Sequence, residues 1–361
     1  MTPPLGTVLT LQYLRGIAVV VVVIHHSMLL PAAHFFPPRL AEFCVDVFFV
    51  ISGFIMWFTT IDGKRGPGAF WQARLVRVVP LYWIYTTLYI LIALAVPSVL
   101  NSGTLVPYHL IASYLFIPAE HPTAGGAAPI LSLGWTMNYE MFFYFFFGLF
   151  LFIRNARVRL PLMIAFFLCF IVAGLVLQPT GAISRTYTDL IMIDFIVGVA
   201  FAVWFEKLIA MPRALAWALI AFAVGWLTVV HSLPQLPERF FAHSIPAAVG
   251  VAGVLMLETA ARKRPNAFLL LLGDASYSIY LAHPFALRAW FIAFTLVVGV
   301  ETQTKAVVCV VTTAIAGVLG GLISWFVLEK PMLAAIWGLI RRRRRRRETA
   351  APAIPDGQPT R

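Results

Sequence analysis

Arg15 and His26 stand eleven residues apart in the run Leu11-Gln-Tyr-Leu-Arg15-Gly-Ile-Ala-Val-Val-Val-Val-Val-Ile-His25-His26. At 3.6 residues per turn this is close to three whole turns, so on a helix the two side chains share a face about 16 Å apart, with His25 rotated about 80° away. A guanidinium is always charged and holds anions, whereas an imidazole takes or gives a proton near neutral pH. Both are costly in an apolar spanning helix unless they face a polar interior. The plain alternative is an interfacial anchor and a histidine that only packs helices.

Other chemistry-bearing residues recur in equally apolar surroundings. Asp46 opens Asp46-Val-Phe-Phe-Val-Ile-Ser52-Gly53-Phe54, and Glu140 lies inside Trp135-Thr-Met-Asn138-Tyr-Glu140-Met-Phe-Phe-Tyr144. Asp194 sits in another apolar stretch, and Ser276-Tyr277-Ser-Ile-Tyr280-Leu-Ala-His283-Pro284 is rich in hydroxyls. Ser52-Gly53 is read as a small-residue helix contact. Arg74 and Arg77, three apart, share a helix face, and Pro80 is accommodated if a new helix begins there. For these two arginines, positive-inside anchoring is the serious rival reading.

The elements that must position these groups follow from composition. The 361 residues are 61% hydrophobic and 12% charged, with a mean hydropathy of +0.87. Apolar runs of about 20 residues, enough to cross a bilayer, recur almost from end to end. The expected fold is all-α, a polytopic membrane protein of about ten transmembrane helices near 13–31, 44–60, 79–97, 131–153, 161–178, 188–206, 213–231, 243–260, 268–291 and 306–328. With both termini cytoplasmic, twelve Lys and Arg between Lys64 and Arg264 fall in inner loops, against Arg39, Arg185, Arg239 and Lys305 in outer ones. That bias orients the chain.

The net charge of +12 is read as membrane topology, with no nucleic-acid partner. Residues 1–340 form the membrane domain, and 341–361, opening with Arg341 to Arg347, form a basic cytoplasmic tail expected to touch anionic lipid and to be disordered. The first span lacks a basic leader and a cleavage site and is expected to be retained. Residues 108–118 are apolar but too short to cross and are expected to be re-entrant or interfacial. Cys44, Cys169 and Cys309 show no metal-ligand spacing, and no metal is expected; they are read as free packing thiols.

In this orientation Arg15, Arg74 and Arg77 lie at the inner boundary, and His26, Asp46, Glu140 and His283 in the outer half. The layout suits an anionic ligand entering from inside, with proton chemistry deeper in the membrane.

Taken together, six elements resemble the acyltransferase 3 family of integral membrane acyltransferases: Arg15-x10-His26, Asp46 to Phe54, Arg74-x-x-Arg77-x-x-Pro80, Trp135-x4-Glu140-x3-Tyr144, Ser276 to His283, and Glu329-Lys-Pro331. The wording around Arg15 and Trp135 is similar to the exopolysaccharide (succinoglycan-type) O-acetyltransferase subgroup. Cys44 stands where many members have Gly, and the extra C-terminal esterase-like domain of some members is not expected.

The resemblance implies a bacterial inner-membrane O-acyltransferase that takes an acyl group, usually acetyl, from cytoplasmic acetyl-CoA as co-substrate to a hydroxyl of a sugar or lipid-linked oligosaccharide. It maps its functional Arg and His onto Arg15 and His26. On that footing His26 is the expected general base, with Asp46 or Glu140 orienting and stabilising it. Arg74, Arg77 and Arg15 are expected to hold the CoA phosphates, and Ser276, Tyr277 or a backbone amide to face the thioester oxyanion. A covalent acyl-histidine remains the alternative route. A proton-coupled transporter or flippase is the rival class, opposed by the lack of a clear inverted repeat.

Overall fold

The computed structural model describes residues 7–29, 40–63, 65–96, 105–122, 125–233, 235 and 238–350. Arg39, Lys64, part of the 98–130 connection and the tail from 351 onward lie outside them. The chain runs through α1 (Leu9–Met28), α2 (Leu40–Phe58), α3 (Pro67–Ala95) and the short α4 (Pro107–Tyr114). Then come α5 (Trp135–Phe150), α6 (Ala156–Leu177), α7 (Ala182–Tyr187), α8 (Met192–Val203) and α9 (Phe205–Ile209). The last part holds α10 (Arg213–Ser232), α11 (Ile245–Met256), α12 (Glu258–Lys263), α13 (Ala267–Asp274), α14 (Ser276–Val297), α15 (Gln303–Ser324) and α16 (Lys330–Ala350). No strand occurs among the described residues.

Among the described residues, eight helical stretches are long and apolar enough to cross a membrane. Two of the ten expected spans fall on shorter apolar helices: α5 has 16 residues, and the other covers Phe240–Met256, where a π-helical turn leads into α11. The expected span at 268–291 is divided at Ala275, and α14 runs on to Val297. The eight-residue α4, about 12 Å long, is too short to span.

One expectation is corrected. Pro80 does not begin a helix: α3 starts at Pro67 and carries Pro80 inside it. Proline fits the first turn, where its missing N–H is unneeded, and inside a helix it removes one backbone bond. Arg74 and Arg77 therefore stand on a continuous helix rather than at a loop edge. Helix α16 runs through the arginines to Ala350, so the described part of the basic segment is helical.

Small residues set the closest crossings. A Cβ on Gly53 would meet the backbone of Phe195, and one on Gly198 the backbone of Val50 and Phe54, so α2 and α8 touch main chain to main chain. A Cβ on Gly16 would fall 2.8 Å from Leu272 Cβ, which holds α1 against α13.

The start of α1 has no cap of its own. Glu258 of α12 supplies one, accepting from the Leu9 and Thr10 amides at 3.0 and 2.9 Å and from the Thr10 hydroxyl at 2.8 Å. A carboxylate there also complements the helix dipole. These contacts fix the height and rotation of the helix bearing Arg15 and His26. Phe143, Phe167 and Phe195 stack where α5, α6 and α8 meet, while Leu175, Leu296 and many other apolar side chains face outward, as expected of a surface against lipid.

Candidate active site

A cavity of about 340 Å³ opens between α1, α2, α3, α5 and α14, with Arg15, Arg74, Arg77 and Glu140 in its wall. Each cation is held differently. Arg15 donates to the Gln12 side chain at 3.1 Å, and Gln12 donates to Asp274 at 3.2 Å. Arg77 pairs with Glu329 at 2.5 Å, and Glu329 accepts from Ser278 at 2.5 Å.

Arg74 has no ion-pair partner among the described residues. Its guanidinium lies over the rings of Phe70 and Tyr144, at 5.5 and 5.7 Å from their centroids, and its Nε is buried without a hydrogen bond. Glu140 accepts from Ser52 at 2.6 Å. Three guanidiniums face one carboxylate in this wall, so the cavity has a net positive lining suited to phosphate groups.

Ser276 and Tyr277 also line it. Their hydroxyl protons go to backbone carbonyls, Ser276 to Gly273 at 2.8 Å and Tyr277 to Val78 at 2.9 Å. Each hydroxyl has a single proton, so as they stand neither donates into the cavity.

His26 and Asp46 are not in the cavity wall. His26 sits between two other imidazoles: its ring centroid is 5.4 Å from that of His25 and 5.0 Å from that of His283. His26 Nδ1 lies 2.9 Å from the Val22 carbonyl, and His283 Nδ1 lies 3.0 Å from that of Ile279. A carbonyl only accepts, which assigns the proton of each neutral ring to Nδ1 and leaves His26 Nε2 with a free lone pair. Tyr280 lines the cavity, and its ring centroid is 6.1 Å from that of His283, whose ring in turn neighbours that of His26.

The carboxylates expected beside His26 are engaged elsewhere. Asp46 is fully buried and ion-paired to Arg239, and shares Ser244 with Asp194 at 3.3 Å on each side. Glu140 stays with Ser52 in the cavity.

Sequence reasoning assigned no role to Gln12, Arg239, Glu258 or Glu329. Glu329 stood in a noted motif but had no visible partner, and Arg239 was counted only as a loop charge. Ser52 was read as a small packing residue, yet its hydroxyl serves Glu140. His283 stood in a noted motif and in the outer half, with no partner assigned to it.

The family model described as "Acyltransferase domain" matches residues 8–329. The chain is similar to "Exopolysaccharide production protein ExoZ" of Rhizobium meliloti (strain 1021), 36% identical over 289 residues that cover 80% of this chain and 88% of that protein. It is also similar to "Protein 2 in picA locus" of Rhizobium radiobacter, 30% identical over 160 residues covering 39% of this chain and 80% of that protein. No solved structure matches it.

Proposed function

The chain belongs to the acyltransferase domain family, and on that premise we propose that it is a multi-pass O-acetyltransferase of a bacterial inner membrane, with both termini in the cytoplasm. It moves acetyl from cytoplasmic acetyl-CoA to a hydroxyl of an exopolysaccharide or cell-surface sugar, free or lipid-linked. The relative named for exopolysaccharide production supports that acceptor class.

The observation that carries the reading is the cationic cavity, with Arg74 in its wall and without an ion-pair partner among the described residues. Arg15, Arg74 and Arg77 hold the phosphates of the donor, and their planar forks suit phosphate oxygens. Arg77 does so while tethered to Glu329. The pantetheine arm then extends past Tyr280 toward His26, so the ring of Tyr280 governs how far the thioester travels.

At His26 the free Nε2 takes the proton of the acceptor hydroxyl as its oxygen attacks the thioester carbonyl carbon. The tetrahedral intermediate expels the CoA thiolate, which recovers that proton from the imidazolium. His283, rather than Asp46 or Glu140, steadies the ring during this exchange.

The test is polysaccharide acetylation, measured by mass spectrometry in a deletion strain carrying the wild-type chain or His26→Ala. Acetylation is expected with the first and absent with the second, at equal protein in the membrane fraction. Full acetylation by His26→Ala would end the assignment.

A further inference from the structure

A second cavity, of about 390 Å³, lies where the end of α6 meets α7, the start of α8 and the turn before α11. In the proposed orientation it opens to the outside. Its wall carries Gln178, Arg185, Asp189, Glu238 and Arg239, with Phe240 among the apolar residues of its floor.

Its charge differs from that of the inner cavity. Two guanidiniums face two carboxylates, and both cations are already answered: Arg185 by Glu120 at 3.2 Å, and Arg239 by Asp46 and, at 3.5 Å, Glu42. Such a wall does not favour an anion. The side chains of Gln178 and Glu238 have no hydrogen-bond partner among the described residues. Together they offer an amide that donates and accepts and a carboxylate that accepts.

Mixed donors and acceptors over an apolar floor match one class of molecule, a neutral sugar ring with hydroxyls on its edge and C–H bonds on its face. The place is also suitable. Arg239 pairs with Glu42 and Asp46, both on α2, which packs against α1, the helix that carries His25 and His26.

We propose that this outer cavity binds a neutral sugar residue of the acceptor, with Gln178 and Glu238 as its hydrogen-bonding groups. The proposal rests on the acetyltransferase reading above.

Gln178 allows a clean test. It occupies the left-handed region at φ 44°, where glycine is at ease, so Gln178→Gly removes the amide without straining the backbone. Glu238→Gln removes the charge and keeps the shape. Full-length wild type, each single variant and the double variant are compared in a deletion strain for acetyl content of the extracellular polysaccharide, and as purified proteins for acetyl-CoA affinity by calorimetry.

The double variant is expected to lower acetylation at least tenfold with acetyl-CoA affinity within twofold of wild type. Acetylation within twofold of wild type would overturn this site and leave the acetyltransferase reading standing. Parallel loss of acetyl-CoA affinity would also overturn it, because the effect would not be on the acceptor. Absence of acetylation by the wild type would overturn both readings.

Discussion

His283 Nε2 lies 3.3 Å from His26 Nδ1, joining α14 to α1 across 257 residues of chain. Because His283 donates through Nδ1 to the Ile279 carbonyl, its Nε2 is an acceptor, the second and longer one beside the Val22 carbonyl at 2.9 Å, for the single proton on His26 Nδ1. The Val22 carbonyl and His283 together hold that proton on Nδ1, which leaves Nε2 of His26 unprotonated and orients the ring.

That relationship predicts different outcomes at the two histidines. His26→Ala removes the base and is expected to lower kcat by ~10²–10⁴-fold. His283→Ala leaves the Val22 carbonyl as the sole anchor of the ring, and is expected to lower kcat by up to about 100-fold through misplacement. The KM for acetyl-CoA should not change in the second variant. Steady-state thiol release by protein in nanodiscs, with acceptor polysaccharide present, separates the two parameters; a raised KM with unchanged kcat would refute the positioning role.

Arg74 and Arg77 are expected to behave unlike each other. Arg74 has no ion-pair partner among the described residues, so Arg74→Ala should raise the acetyl-CoA dissociation constant about tenfold, a loss of ~1.4 kcal/mol, with little change in melting temperature. Arg77→Ala strands the fully buried Glu329, and removing one partner of a buried pair costs about 3–5 kcal/mol. Adding Glu329→Gln should recover part of that stability. Calorimetric binding and thermal unfolding in one detergent check both statements.

Glu258→Ala should destabilise the protein by ~1–2 kcal/mol through loss of the cap on α1. The loss should appear in the melting temperature, and hydrogen exchange should rise first at the Leu9 and Thr10 amides, which Glu258 binds.

Gly198→Ala should be worse than an ordinary surface change. Its new methyl would meet the Val50 carbonyl in α2, and overpacking of this kind costs about 1–3 kcal/mol. Gly225, whose Cβ would meet nothing within 4 Å, is the matched control. Equal thermal stability of the two alanine variants would contradict the α2–α8 crossing.

Much was legible locally, because helix geometry and lipid solvation act over short stretches of chain. The length and apolarity of the runs established an all-helical membrane protein, and the eleven-residue spacing of Arg15 and His26 placed both on one line of one helix. The three-residue spacing of Arg74 and Arg77 survived the correction at Pro80, since their helix extended rather than ended. What folding alone decided was pairing between distant segments. Asp46 found Arg239 across 193 residues, Arg77 found Glu329, and His26 found His283 instead of a carboxylate. A buried charge or imidazole must be satisfied by some partner, and the residue type announces that need. The sequence cannot name the partner, because the choice is made by which helices lie side by side, and that depends on close crossings such as Gly53 on Phe195 and Gly16 on Leu272.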